Sequence, residues 1–299
     1  MSYEPLPLGK SALKVSPLAW GMWRFAGDDV AAAQSRVESA LNSGMTLLDT
    51  ADIYGPDNGE AFGASEALLG RVLKAAPSLR DRFVLASKGG ISMGVPYDSS
   101  PAYLVQAVED SLTRMGVERI DLYQIHRPDH LAHPADVAET LTRLREAGKI
   151  GEIGVSNHTA AQTSALQAHL GFPIAAIQIE FSPLVVAPLY DGTLDQALET
   201  GMAVLAWSPL AQGRLGDSQA GGERADAVRA ALDVLAADKG VSRTDVAFAW
   251  IMAHPSRPIP IIGSQQPGRI QEAVRSLAVT LSRPEWYSIL TAARGVPLP

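Results

Sequence analysis

Residues 100–126 read SPAYLVQAVEDSLTRMGVERIDLYQIH, and they place a helix and a strand end to end. Ser100 followed by Pro101 is helix-start chemistry, apolar residues then recur at a 3.6-residue period, and Gly116 is a stop. The run Ile120 to His126 that follows is too short for a helix and reads as a strand, one of a set of largely apolar runs that suggests a sheet covered on both faces.

The same unit recurs along the chain. Strands are expected at 15–23, 45–51, 83–88, 120–126, 152–157, 176–182, 203–208 and 259–264. Helical segments such as DDVAAAQSRVESALNSG and HPADVAETLTRLREAG lie between them, ending at Gly44 and Gly148. Strands alternating with helices mean parallel βα units. Eight units of about 30 residues point to an α/β fold of the closed (β/α)8, or TIM, barrel type. LPLGKSALKV reads as a hairpin ahead of the barrel, turning at residues 9–11. GRLGDSQAGGER, 213–224, reads as a mobile loop after strand seven, RADAVRAALDVLAADKG and SRTDVAFAWIMAH as two helices before strand eight, and RPEWYSILTAARGVPLP as one more short helix with a Pro-rich end, so the barrel carries extra C-terminal helices. Residues 1–299 are read as a single barrel domain.

Composition narrows the function. The net charge of -7 argues against nucleic acid or an anionic membrane as main partner. With no cysteine, thiolate nucleophiles, disulfides and Cys-ligated zinc are excluded. The N-terminus carries no apolar leader and no later run reaches 18 apolar residues, so a soluble, cytoplasmic protein, most simply a monomer, is expected.

A (β/α)8 barrel works at the C-terminal ends of its strands. Here those ends carry Asp49 with Tyr54 beyond it, Lys88, His126, Ser156 and Asn157, Gln178, Trp207 and Ser208, and Gly263 and Ser264. A lysine between Asp49 and Tyr54 would be held by the carboxylate and would lower the phenol's pKa toward working pH. Tyr54 then becomes a proton donor, and His126 polarises the same substrate oxygen. Such a site lacks an electron source, which calls for a nicotinamide cofactor. Ser156, Asn157 and Gln178 suit a carboxamide, Trp207 offers a stacking face, and Ser264 with Arg269 suits a phosphate. No G-x-G-x-x-G follows a strand, so a Rossmann site is not expected. Asp52 has no assigned partner and reads as a loop residue.

Six ordered motifs resemble those of the aldo-keto reductases over essentially the whole chain. They are LGKSALKVSPLAWGMW, LLDTADIYG, LASKGG, DLYQIHRPD, GKIGEIGVSNH and PIIGSQQPGRIQEAV. The match looks nearest to bacterial oxidoreductases that carry AWSPL and PIIGS. The resemblance implies NAD(P)H-dependent reduction of aldehydes or ketones to alcohols, with Asp49, Tyr54, Lys88 and His126 as a catalytic tetrad. It implies NADPH in preference to NADH, with Ser156, Asn157 and Gln178 at the carboxamide and Trp207 stacking. Ser208, Pro209, Leu210, Gly213 and Arg214 would line the pyrophosphate, and Gly263, Ser264, Arg269 and Glu272 the adenosine end. Two positions depart from the family pattern: Gly263 stands where many members have lysine, and Ala273 where many have asparagine, so the NADPH preference rests mainly on Arg269.

The substrate is expected between the tetrad and a mouth formed by Trp23, Phe25, the RPDHLAH segment and the C-terminal tail, with Tyr54 and His126 at its base. That aromatic mouth suggests small apolar or aryl carbonyls. Three rivals stand beside this reading. His126, His130 and His133 with Asp49 would suit a metal-dependent hydrolase, but Pro128 and Pro134 interrupt the helix that their spacing needs, and no metal is expected. A cofactor-binding regulatory barrel with little turnover is the second. A serine hydrolase is the third, and GVSNH around Ser156 is not G-x-S-x-G.

Overall fold

The computed structural model describes residues 3–216 and 221–298. Strands β1 (Leu6–Pro7) and β2 (Lys14–Val15) form an antiparallel hairpin. The eight strands β3 (Ala19–Gly21), β4 (Leu47–Asp49), β5 (Val84–Gly89), β6 (Ile120–Ile125), β7 (Ile150–Ser156), β8 (Ala176–Glu180), β9 (Ala203–Trp207) and β10 (Ile259–Ile262) then run parallel. They close into a barrel in chain order, with β10 pairing back to β3.

Helices α1 (Val30–Asn42), α2 (Ala64–Ala75), α3 (Pro101–Met115), α4 (Pro134–Glu146), α5 (Ala160–Gln167) and α6 (Thr193–Thr200) each follow one barrel strand. Two helices, α7 (Gly222–Lys239) and α8 (Arg243–Met252), separate β9 from β10, and α9 (Pro267–Ala273) and α10 (Arg283–Arg294) complete the chain. Of the expected loop at 213–224, residues 217–220 lie outside the described residues, and from Gly222 the chain is already helical.

The helix starts follow the cap chemistry in the sequence. Ser100 Oγ accepts from the Tyr103 N–H, Pro101 fills the first position of α3, and Gly116 ends it in the left-handed conformation. The first expected strand, 15–23, shrinks to three residues, because Val15 pairs into the hairpin and the chain leaves the sheet beyond Gly21.

The continuous apolar runs reflect two cores. Leu47, Leu122, Leu205 and Ile261 point into the barrel and meet Leu6, Leu8 and Val15 of the hairpin, which closes the bottom. Their neighbours Leu48, Tyr123, Val155 and Val204 point outward to the helices. The hairpin turn sits hard against the barrel floor: Gly9 has φ +62°, and a Cβ there would lie 2.2 Å from the Ala175 carbonyl oxygen. With the bottom plugged, the polar strand ends at the other rim are left to form a site.

Candidate active site

After Asp49 the chain keeps step with its neighbour for three more residues. The N–H groups of Thr50 and Asp52 donate to the carbonyls of Ala86 and Lys88, at 2.9 and 3.0 Å. It then turns back sharply, with the Tyr54 N–H on Ala51 O at 3.2 Å and the Ser65 N–H on Tyr54 O at 3.1 Å. A Cβ at Gly55 would stand 1.9 Å from the Ala61 carbonyl oxygen, so the motif needs its glycine for close backbone approach. This fold-back sets the Tyr54 ring over the barrel.

Lys88 is fully buried inside the barrel. Its ammonium donates to Asp49 Oδ2 at 2.6 Å, to the Thr50 carbonyl at 2.8 Å and to the Tyr54 hydroxyl at 3.1 Å, which uses all three protons. Burial pushes the Lys88 pKa down, but Asp49 and Tyr54 outweigh it and the net shift is upward, so the cation is secure at neutral pH. On the other oxygen, Asp49 Oδ1 accepts from Gln178 Nε2 at 2.8 Å and Gln124 Nε2 at 3.2 Å. Gln178, expected at a carboxamide, thus commits an amide proton to Asp49.

The phenol corrects the sequence-based expectation. Burial raises the Tyr54 pKa, Lys88 opposes this, and Asp49 adds to the rise, leaving the net shift upward. Lys88 therefore keeps the rise in check without bringing the group to working pH. Tyr54 holds its proton at neutral pH, in the state a donor needs.

His126, at the end of β6, meets the Tyr54 ring edge to face with centroids 5.9 Å apart. Its backbone N–H donates to Gly89 O at 2.8 Å, while its Nδ1 is buried without a hydrogen-bond partner among the described residues. Burial, then the charges of Lys88 and Arg127, hold its pKa well below the usual histidine value. A base whose folded pKa is depressed contributes stability that is present above its unfolded value of about 6.5 and is lost as pH falls toward the folded one. NMR titration should find the His126 ring neutral at pH values where a free imidazole is half charged, with unfolding free energy declining below that point. An imidazolium signal from His126 at neutral pH would contradict this electrostatic picture.

Beside His126, a chain of polar contacts follows the rim. Trp207 Nε1 donates to Asn157 Oδ1 at 3.0 Å, and Asn157 Nδ2 donates to Ser156 Oγ at 2.7 Å and toward His126 O at 3.4 Å. The Trp207 ring is half-buried, with the Arg127 guanidinium 5.8 Å from its centroid. Four non-glycine residues with left-handed φ, namely Asn157, Ser208, Ala211 and Gln212, cluster after β7 and β9, where function gathers strained backbone. Pro209 and Leu210 lie in that segment, Gly213 has φ +90°, and Arg214 donates to Ala211 O at 2.9 Å. Beyond β10, Gly263 is exposed with open space around it, and Ser264 Oγ accepts from the Gln266 N–H at 3.3 Å. Arg269 and Glu272 are exposed on α9, and Glu272 lies 3.8 Å from Arg275.

Of the expected mouth, Trp23 is on the rim, 41% exposed, with its indole N–H on Asp57 Oδ2 at 2.9 Å. Phe25 is not there: it is buried against Trp20, centroids 5.5 Å apart. In the tail, Trp286 of α10 stacks on Trp250 of α8, centroids 4.7 Å apart, so this part packs on the barrel's helices. His133 caps α4, accepting from the Ala135 N–H at 3.2 Å, and no group of three metal-ligating side chains occurs among the described residues. Asp52 is no solvated loop residue. It is buried, burial raises its pKa well above the usual aspartate value, and it lines a cavity of about 240 Å³ together with Tyr103 and Ala107 of α3.

The sequence reading missed Gln124, and it carried Arg127 only as the first residue of the expected RPDHLAH mouth. Gln124 stands two residues before His126 and two after Leu122, and an amide at that period-2 position was the available signal. Arg127 follows His126 directly.

The family model for the Aldo/keto reductase family matches residues 17–293. The chain belongs to the aldo-keto reductase family. This aldo-keto reductase is 50% identical over 306 aligned positions to the 6-dehydroglucose reductase of Novosphingobium aromaticivorans, covering 100% of both chains. It is 36% identical to the 6-dehydroglucose reductase of Agrobacterium fabrum, over 95% of this chain and 96% of that one. A crystal structure of the thermostable aldo-keto reductase Tm1743 with the inhibitor epalrestat has the same fold, with TM-score 0.82 and 21% identity over 97% of this chain and 100% of that one.

The protein is accordingly an oxidoreductase, of a family that uses nicotinamide cofactors and acts on small carbonyl compounds. The rim suits such a cofactor: a half-exposed indole face, amide and hydroxyl groups beside it, and cationic Arg214 and Arg269 farther along. No helix among the described residues is long and apolar enough to cross a membrane.

Proposed function

We propose that this aldo-keto reductase reduces the aldehyde of a sugar such as 6-dehydroglucose to the primary alcohol, using NADPH, with Tyr54 as general acid. The observation that carries the chemistry is the Lys88 ammonium spending its three protons on Asp49, Thr50 O and the Tyr54 hydroxyl. When bound, the cofactor supplies hydride to the carbonyl carbon.

The chain's own residues do the rest. Tyr54 donates its proton to the carbonyl oxygen, and the adjacent Lys88 cation stabilises the phenolate left behind. Neutral His126 orients the same oxygen by hydrogen bonding, without competing as a proton source. Trp207 would stack on the nicotinamide, with Ser156, Asn157 and Gln178 toward its carboxamide. Ser208, Pro209, Leu210, Gly213 and Arg214 would border the pyrophosphate, Ser264 and Arg269 the 2′-phosphate with Gly263 beside them, and Glu272 the adenine.

The sugar substrate is supported by the full-length likeness to two 6-dehydroglucose reductases. The polar groups of the rim support it too, since Asp57 and Asn58 bond to Trp23 and Arg127 stands over the Trp207 ring, and these suit a hydroxylated aldehyde better than an aryl one. Higher kcat/KM for benzaldehyde than for 6-dehydroglucose would contradict this choice. The enzyme is read as a single-domain cytoplasmic monomer, and elution as a larger species would contradict the monomer.

Cofactor choice is read from binding. NADPH should bind more tightly than NADH because Arg269 is a cation suited to the 2′-phosphate, and equal dissociation constants would refute it. Trp207→Ala should weaken NADPH binding about tenfold, equivalent to about 1.4 kcal/mol of lost stacking and contact. Fluorescence titration reads both, and an unchanged affinity would remove Trp207 from the cofactor site.

A further inference from the structure

Asp49 is anchored through both oxygens, and the two anchors differ. Oδ2 takes the Lys88 ammonium at 2.6 Å, and Oδ1 takes the amides of Gln178 at 2.8 Å and Gln124 at 3.2 Å. The terminal torsion of an aspartate is a soft sp³–sp² rotation, so one ion pair on one oxygen leaves the carboxylate free to swing. Two amide donors on the other oxygen remove that freedom.

Gln124 is placed for this purpose. It is fully buried in a strand whose neighbouring inward residue, Leu122, is apolar, and an amide there costs free energy unless both ends are bonded. Its nitrogen serves Asp49, and its oxygen faces Gln178 Nε2 at 3.4 Å. The barrel makes room for it: Gln124 pairs with Gly154 across β6 and β7, and a Cβ on Gly154 would come within 2.9 Å of Gln124 Cγ.

We propose that Gln124 is a positioning residue for carbonyl reduction, clamping Asp49 together with Gln178 so that Lys88 stays against the Tyr54 hydroxyl. The inference rests on Tyr54 being the proton donor. Released from the clamp, Asp49 swings, Lys88 loses its fixed place 3.1 Å from the phenol oxygen, and the donor is less well aligned. Lys88 also loses part of the attraction that keeps it charged against burial, so its proton leaves at lower pH.

The test compares full-length Gln124→Met, Gln124→Glu and Tyr54→Phe with the parent, using NADPH and 6-dehydroglucose. Methionine keeps the length and removes the amide; kcat should fall about ten- to a hundredfold while KM and the NADPH dissociation constant stay within about twofold. The basic limb of its kcat–pH profile should move to lower pH. In the glutamate variant, a protonated carboxyl can still donate to Asp49, so activity should approach the parent's at low pH and fall away as that proton is lost. Parent-like kcat and pH profile in Gln124→Met overturn the proposal, as does a loss confined to melting temperature. If Gln124→Met does not fold, the near-isosteric Gln124→Glu decides alone, and a pH profile parallel to the parent's overturns it. Undiminished turnover in Tyr54→Phe would instead overturn the proton-donor reading, whereas its loss beside a parent-like Gln124→Met overturns only the role of Gln124.

Discussion

Replacing Tyr54 by Phe should lower kcat for carbonyl reduction by about 10²–10⁴-fold, the range a positioned general acid contributes. The ring and its edge-to-face contact with His126 survive, and only the hydroxyl 3.1 Å from Lys88 is removed. NADPH affinity should stay close to the parent's, because the cofactor is assigned to the Trp207 side of the rim. Stability should change little, although Lys88 loses one of three acceptors and that proton then faces the mouth. Steady-state kinetics with binding measured separately checks both halves. Turnover within a few fold of the parent would mean that another group delivers the proton.

Asp49→Asn should be the most damaging substitution for stability. Asp49 accepts three N–H bonds through two oxygens, and asparagine offers one oxygen and an NH2 that must face a donor. It also strands the Lys88 ammonium in a fully buried position. Removing one member of a buried ion pair typically costs about 3–5 kcal/mol, and denaturant unfolding should show a loss of that order. In the parent, where the folded Lys88 pKa is raised, the pair's contribution is present below the unfolded value of about 10.4 and is lost as pH rises through the folded one. In the variant, burial acts on Lys88 without Asp49 and pushes its pKa down, so the sign reverses and the deficit should shrink as pH rises. A deficit independent of pH would show that Lys88 is not left charged and buried.

Much of this could be read before any coordinates. The alternation of capped helices with strands apolar on both faces leaves few folds besides a closed parallel barrel, and the strand ends name Asp49, Lys88 and His126 because polar residues there contradict the apolar runs they terminate. What stayed hidden depends on direction and burial. Spacing set Lys88 between Asp49 and Tyr54, but only its inward turn in the strand shows the third acceptor, the Thr50 carbonyl. Asp52 looked like a loop residue because the apolar run had ended, yet its N–H continues the pairing with β5 and carries its carboxyl into the wall. Gln124 shares the inward face with Leu122, and an amide beside an apolar residue does not announce which carboxylate it meets. The upward shift of Tyr54 follows from how deeply its hydroxyl is enclosed, a property of packing that residue spacing does not carry.

The most direct test of the account is a stoichiometric one: purified protein, NADPH and 6-dehydroglucose, with cofactor consumed and glucose formed both measured. The account predicts one glucose per NADPH with the parent and almost none with Tyr54→Phe under the same conditions. NADPH that binds tightly but is not oxidised by 6-dehydroglucose or by any simple aldehyde would contradict it, and would leave a barrel that holds the cofactor without using it.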